Sequence, residues 1–356
     1  MFRSFFNIHF NRQDFYDNIT STDEIEKNFD WGSKSTFSFI FMLAISAVIA
    51  TFGLLANSVA VIIGAMIIAP LMNPILALSY WLLTGRWDMI IRSFISVLIG
   101  TILSICVAVL ITYLIGWKVA GTEILSRMRP NLLDLGVALA AGAAAAFAYS
   151  HSKVSSAFAG IAVAVALIPP LCTVGISIAV RNDVSVEVGE AFDSFDTKGP
   201  LLLYITNFIG IIFASSMVFF LQYFRRKLKA ILILALAMVC LGIIILPLGF
   251  RMKNLLIRNN IRRNLTVMAT ALLPEEDYTR IHLQKLIVKI DKKVVFVRAE
   301  VDAEPGVVTQ VFIDKLQDKL SENIGMPVIL EVGVTLESVF RSNYDPTLLN
   351  EIRGIP

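Results

Sequence analysis

Two proline-containing motifs lie inside apolar stretches of this sequence, and they are its strongest candidates for binding a solute. In the first motif, Pro70 and Pro74 each remove a backbone N–H donor, which predicts a break in the helix. Backbone freed at membrane depth is tolerated only when it is buried in protein or lines a cavity. Asn73 is predicted to be the N-cap of a new half-helix whose first residue is Pro74.

The second motif contains Pro169 and Pro170, which are predicted to end another half-helix, with Thr173 suited to cap the next one. Helix N-termini carry unsatisfied N–H groups and about half a positive charge, so two of them meeting in a membrane would favour an anion or a carbonyl oxygen. The C-terminal ends of the preceding half-helices would offer carbonyls to a cation. The alternative is that these prolines only kink packed helices.

Ionisable residues are scarce in the apolar stretches, and Asp134 is the carboxylate that stands clearly within one. Its position near the start of a predicted helix also fits an interfacial residue at a helix N-terminus. Asn207 lies in the middle of a predicted span. Lining a path and forming interhelical hydrogen bonds are both open roles for the neutral polar residues Asn57, Ser58, Thr101, Ser104, Ser177, Thr206 and Asn207.

Membrane helices must position these motifs, because 56% of the 356 residues are hydrophobic, mean hydropathy is +0.72 and only 17% of residues are charged. A soluble domain carries about 25% charged residues. The apolar residues form uninterrupted runs, several of which reach the roughly 20 residues that a bilayer requires. The composition therefore predicts a multi-pass membrane protein, for which the inner cell membrane is the expected location.

The predicted layout is a polar segment 1–35, a transmembrane domain 36–250, a soluble domain 251–340 and a tail 341–356. About seven membrane segments are expected, at Thr36–Ala56, Asn57–Gly85, Ile90–Gly116, Asn131–Tyr149, Ser155–Val180, Leu201–Phe224 and Ala230–Phe250. The fourth is rich in Gly and Ala, which predicts close backbone packing.

An internal repeat is indicated by the two motifs, since Ile68-Ala69-Pro70-Leu71-Met72 resembles Ile168-Pro169-Pro170-Leu171-Cys172. The repeats would be 36–116 and 131–224, with 230–250 as an extra span. If each broken stretch crosses the bilayer, every repeat has an odd number of crossings and the second lies inverted. The predicted fold class is an all-α polytopic membrane domain with two Pro-broken half-helix pairs.

A soluble α+β module is predicted to follow. Helical spacing begins at Ile257, strand patterns at Gln284–Ile290 and Val294–Asp302, a helix at about Val307–Asn323 and a last strand at Pro327–Leu336. Gly325 is the predicted stop of the second helix. The order α-β-β-α-β predicts a small ferredoxin-like domain.

Several functions have no support in the sequence. Its Cys and His residues lack metal-ligand spacing, and it contains no phosphate-binding glycine loop or hydrolase motif. We therefore expect no metal, no cofactor and no enzymatic activity. The net charge of +3 gives no case for nucleic-acid binding. The expected partners are the bilayer, a small solute and a second copy, in a homodimer through the membrane or C-terminal domain.

The segments Ser58–Pro74 and Gly160–Cys172 closely resemble the bacterial and archaeal hydrophobic-protein family catalogued as domain of unknown function 389. Asp134 and Asn207 also match positions of the family pattern. The resemblance implies a polytopic prokaryotic membrane protein, and it supplies no substrate. Gly64, within the first of these segments, joins the candidate binding residues.

The leading hypothesis is a secondary transporter or channel for a small solute, with anions among the candidates. The alternative is a membrane sensor or scaffold whose C-terminal domain binds a ligand. A cytoplasmic N-terminus places Arg86, Arg92 and Lys153 inside, as the positive-inside rule favours, whereas Arg127 and Arg129 disagree.

Overall fold

A computed structural model of the chain describes residues 19–117, 119–151, 156–180, 185–186, 197–224, 228, 230–243, 245–246, 248–249, 257, 260–261, 281–291, 294–303, 308–325 and 327–336. The chain divides into two compact units, Met1–Val188 with Phe192–Lys253 and Gly189–Ala191 with Asn254–Pro356. Most of the acidic loop between 183 and 196, the basic cluster from Arg225 to Lys227 and nearly all of the helix predicted from Ile257 lie outside the described residues.

The first unit is helical. Its helices are α1 Thr22–Gly32, α2 Phe37–Leu55, α3 Val59–Ile68, α4 Met72–Thr84, α5 Trp87–Ile115, α6 Thr122–Arg127, α7 Leu132–Ser150, α8 Ser156–Val180, α9 Lys198–Phe219 and α10 Ala230–Ile243. A π-helical turn, Phe220–Phe224, continues α9. Two short parallel strands, β1 Val119–Ala120 and β2 Ser185–Val186, pair outside the bundle helices.

Among the described residues, α2, α5, α7 and α9 with its π-helical turn are long and apolar enough to cross a membrane. The bent pair α3–α4 raises this number to five if it counts as one span. At 1.5 Å per residue, the 19 residues of α2 match the roughly 30 Å of a bilayer core, and the 29 residues of α5 exceed it, at about 43 Å. Shorter apolar helical stretches are Ala166–Val180 and Ala230–Ile243. The expectation of about seven segments stays a prediction.

Small residues allow the helices to approach closely. A Cβ added at Gly142 of α7 would lie 2.5 Å from the Ile211 carbonyl oxygen of α9. One added at Gly175 of α8 would lie 2.6 Å from the Ile105 carbonyl oxygen of α5. These distances are too short for any side chain, so backbone meets backbone at both crossings, as the composition of the Gly- and Ala-rich span predicts.

The direction of the helices follows from contacts at the two ends of the bundle. At the end we call the α1 end, Thr20 N–H donates to the Ser150 carbonyl oxygen and Arg86 pairs with Glu26. At the opposite, α6 end, Asn57 Oδ1 accepts from Glu123 N–H. Helices α2 and α5 therefore run from the α1 end to the α6 end, whereas α3–α4, α7 and α9 run the other way.

The second unit contains a mixed three-stranded sheet, ordered β3-β4-β5. β3 (Ile281–Asp291) and β4 (Val294–Ala303) are antiparallel, and β5 (Val328–Leu336) pairs with β4 in parallel after helix α11 (Gln310–Ile324). Leu316 and Leu320 of α11 pack with valines of the sheet in a separate core. Gly325 ends α11 with φ of 68°, which confirms the predicted stop. The ferredoxin-like arrangement stays a prediction.

Candidate functional site

The first proline motif forms a bend of 57° between α3 and α4. Helix α4 begins at Met72, so Asn73 and Pro74 are its second and third residues, and Leu71 is the N-cap. The prediction that Asn73 is the N-cap was therefore wrong. A helix can begin before Pro74 because the first four N–H groups of a helix have no intrahelical partner and the missing donor costs nothing there. No side chain of the described residues caps this N-terminus.

A serine satisfies one of the carbonyls at the end of α3. Ser46 of α2, fully buried, donates from Oγ to the Ala65 carbonyl oxygen at 2.7 Å. Ala65 belongs to the last turn of α3, whose carbonyls have lost their helical partners because α3 ends at Ile68. The bend is thus stabilised by a neighbouring helix, which is how freed backbone is tolerated inside a bilayer.

The second proline motif does not break its helix, which corrects the sequence prediction. Pro169 and Pro170 lie inside α8, which is helical from Ser156 to Val180. Thr173 is not a cap, because its Oγ1 donates to the Pro169 carbonyl oxygen one turn back, at 2.8 Å. The prediction that a half-helix begins at each motif is therefore wrong for the second motif. At the first motif a helix, α4, does begin inside the bundle.

Asn207 of α9 explains how α8 accommodates Pro170. In a regular helix, residue 170 would donate its N–H to the Ala166 carbonyl oxygen, and proline has no N–H to give. The Asn207 Nδ2 donates to this oxygen instead, at 2.8 Å. The amide side chain replaces the missing backbone donor, so α8 stays helical through both prolines.

Two buried polar atoms of Asn207 and its neighbour Thr206 lack a hydrogen-bond partner in the part of the chain that the structure describes. Asn207 Oδ1 and Thr206 Oγ1 are buried and have no hydrogen-bond partner among the described residues. The exposed fractions of the two residues are 4% and 0%. Buried polar groups are nearly always hydrogen-bonded, so such atoms indicate a place for water, an ion or a polar solute.

The bend and Asn207 occupy similar positions along α4 and α9, counted from a contact that the two helices share. Helices α4 and α9 run in the same direction and touch where Ser79 Oγ donates to Ser215 Oγ at 3.4 Å. Leu71 and Asn207 each precede that contact by eight residues, which is about 12 Å along a helix. We call the Pro70–Asn73 bend, the Ala166 carbonyl, Thr206 and Asn207 the interior site.

The other predicted binding residues lie elsewhere. Gly64 is on a partly exposed side of α3, where an added Cβ would meet nothing in the described chain within 4 Å. Asp134 forms a capping box with Asn131 at the start of α7, where its Oδ2 accepts the Asn131 N–H at 2.9 Å. Asp134 is thus a helix-capping residue near the α6 end.

Interhelical bonding accounts for several of the neutral polar residues. The hydroxyls of Thr101 on α5 and Tyr204 on α9 are 2.6 Å apart. Asn57, with φ of 53°, accepts the N–H of Glu123 and holds α6 against the end of α2. Ser177 differs, because it donates to the Val174 carbonyl within α8, and its Oγ also lies 3.2 Å from the Thr197 Oγ1 that precedes α9.

Sequence analysis missed the Ala166 carbonyl, although the residue four positions before a helical proline is where a free carbonyl belongs. It also gave Thr206 no distinct role. The described residues contain no group of three or more His, Cys, Asp or Glu arranged to hold a metal ion.

These features define a class: a helical membrane protein whose bundle contains one bent helix pair and one proline-containing helix, joined to an α+β unit. Within it, residues 66–213 match the family model described as domain of unknown function (DUF389), which confirms the resemblance. An uncharacterised protein of Methanocaldococcus jannaschii is 28% identical over 180 residues, or 51% of this chain and 52% of that protein. The chain spans about half the length of the curated relative it matches.

Proposed function

We propose that the first unit moves a small polar solute across the inner cell membrane, as a transporter or channel, with the interior site as its binding site. The observation that carries this proposal is the pair of buried atoms without partners, Asn207 Oδ1 and Thr206 Oγ1, beside a carbonyl that Pro170 leaves free. A polar solute that passed this point would complete the hydrogen bonds of both atoms.

The solute class that fits best is small, uncharged and able both to donate and to accept hydrogen bonds. Asn207 Oδ1 accepts, the hydroxyl of Thr206 donates, and the uncapped N-terminus of α4 adds N–H donors at the same depth. Among the buried polar side chains described, none is Asp, Glu, Lys or Arg. An ion would therefore lose its hydration without gaining a counter-charge.

An inverted-repeat plan is part of the proposal. Helices α2, α3–α4 and α5 alternate in direction, and α7, α8 and α9 would alternate in the opposite sense, because α7 starts at the α6 end. Both sets of three carry their proline motif in the middle member. Such repeats place the binding site where the middle members meet.

We also propose a homodimer, which crosslinking in intact membranes would detect as a band of twice the monomer mass.

Flux through purified protein in liposomes tests the function. We expect osmotically driven entry of glycerol, as the uncharged probe, to exceed that of protein-free liposomes, and entry of chloride to stay at background. The Asn73→Ala variant should lower glycerol entry while the purified protein remains monodisperse. Chloride entry above background would indicate that the solute is an anion. If neither glycerol nor chloride enters above background, the interior site is not a path for such solutes.

The second candidate function is a membrane sensor or scaffold without transport. It is favoured by the α+β unit having a core of its own, in which Leu316 and Leu320 pack on the sheet. This function predicts that the full chain binds a ligand while catalysing no flux. Glycerol entry that persists in a chain ending at Lys253 would count against it.

A further inference from the structure

We propose that α1 is a lid that closes the α1 end of the solute path, held shut by two partly exposed ion pairs. The consequence of this lid, control of solute flux, rests on the proposed function. The geometry of the lid stands on contacts within the first unit.

The closed lid inserts an aromatic side chain among three bundle helices. Phe29 of α1 is fully buried and stacks on Tyr149 of α7, with ring centroids 4.6 Å apart. It also lies 5.2 Å from the ring of Tyr80 on α4 and 5.6 Å from that of Phe219 on α9. A short amphipathic helix with charged residues on its other side thus fills the space between α4, α7 and α9.

This aromatic cluster stands over a polar contact between α4 and α9. Ser79 donates to Ser215, and Ser216 donates to the Ser79 carbonyl at 3.2 Å. Tyr80 directly follows Ser79, and Phe219 lies one helical turn beyond Ser215 towards the α1 end. A solute path that ran along α4 and α9 from the interior site, about 12 Å deeper, would pass this serine contact and end beneath Phe29.

Charged groups at the surface hold α1 in this position. Asp30 Oδ1 is 2.9 Å from Arg92 Nη1, and Glu26 Oε2 is 3.6 Å from Arg86 Nη1. The four side chains are between 35% and 46% exposed, so each pair is weak and is screened by salt. Weak, exposed pairs suit a contact that must open and close.

The lid also touches the candidate binding residue at the bend. A Cβ added at Gly32 of α1 would lie 3.1 Å from the Asn73 Cβ, so the end of the lid rests on the first turn of α4. Ser96 Oγ of α5 donates to the Ser33 carbonyl at 2.7 Å just beyond it. A solute that displaces Asn73 would therefore move the lid, which couples occupancy of the site to opening.

The test uses charge reversal and its repair in the full chain. Lys34 Nζ is also 3.1 Å from Asp30 Oδ2, so all variants carry Lys34→Ala. Arg92→Asp and Asp30→Arg each place like charges at the pair and should open the lid, whereas the double variant Asp30→Arg with Arg92→Asp restores opposite charges. Lys27→Glu on the exposed side of α1 is the matched control, because it changes charge by the same amount as Arg92→Asp. We expect the single variants to raise glycerol entry into liposomes by about two- to tenfold, and the double variant to reverse this rise.

A second readout separates failure of the lid from failure of transport. In a chain with Cys106, Cys172 and Cys240 replaced by Ala, the variant Ser216→Cys puts a thiol beneath the cluster. A membrane-impermeant maleimide should label it slowly, faster with Arg92→Asp, and slowly again in the charge-swapped chain. If labelling follows this order but no variant admits glycerol, the lid is supported and the proposed transport is contradicted. Labelling that is equal in all variants would overturn the lid, whatever the flux.

Discussion

At the residue scale, Asn207 acts as a substitute for the backbone N–H that Pro170 lacks. Its amide is used on one side only: Nδ2 donates to the Ala166 carbonyl, and Oδ1 meets no partner in the described chain. Thr206, the preceding residue, contributes a second buried atom without a described hydrogen-bond partner, its Oγ1. The Nδ2 of Asn207 thus has a structural role, and the two atoms without described partners are the ones that we propose bind a solute.

Asn207 and Thr206 are expected to differ in their effect on stability. Asn207→Ala leaves the Ala166 carbonyl buried without a donor and should lower the free energy of unfolding by about 1 to 3 kcal/mol. Thr206→Val removes a hydroxyl that has no described partner and should leave stability unchanged or raise it. Thermal unfolding in detergent measures both, and equal losses would contradict the assignment.

At the element scale, α8 stays helical because α9 supplies the donor. Pro170→Ala restores the N–H of residue 170 and makes Asn207 redundant, so Asn207→Ala should cost less in that background. The two substitutions are expected to couple by about 1 kcal/mol in a double-mutant cycle. Additive effects would show that the amide does not replace the backbone donor.

The crossing of α7 and α9 gives another prediction at this scale. Gly142→Ala would push a methyl group against the backbone of Ile211, at 2.5 Å, and should destabilise the bundle by roughly 1 to 3 kcal/mol. Gly136→Ala, on the same helix and with open space around it, should stabilise by up to about 1 kcal/mol. Unfolding of both variants under one condition compares them directly, and similar losses would rule out the close crossing.

The sequence predicts some of these elements and misses others for a physical reason. Pro70 and Pro74 predict a bend between α3 and α4 because both signals are local, as is the Gly325 stop of α11. The fate of Pro170 depends on Asn207, which is distant in sequence and becomes a neighbour only when α8 and α9 pack. Half-helices that end at Pro170 are therefore expected from local rules and are absent from the described α8.

Local sequence patterns likewise do not predict how far along the bundle each residue lies. The sequence places Asn207 and the bend in separate spans, and the Ser79–Ser215 contact shows that Leu71 and Asn207 precede one shared crossing by the same number of residues. Asp134 illustrates the opposite case, since its distance from Asn131 already fits a capping box.

At the scale of the whole membrane unit, an uncharged interior lies between two charged ends. Described ion pairs cluster at α1 with the start of α5, and at α6, while the buried polar groups between them are hydroxyls and an amide. For the proposed function, this distribution suits a neutral polar solute and opposes ions. If α1 is the proposed lid, resting flux should be low and should rise with ionic strength as the ion pairs are screened.

The most direct test of the central claim is glycerol entry into liposomes that contain the wild-type chain, Thr206→Val, or Thr112→Val. Thr112 is the matched control, because its buried hydroxyl bonds to the Ala108 carbonyl within α5, away from the interior site. The account predicts that entry falls severalfold with Thr206→Val alone, while both variants stay folded. Equal entry in all three chains would contradict the claim that the open atoms of α9 bind the solute.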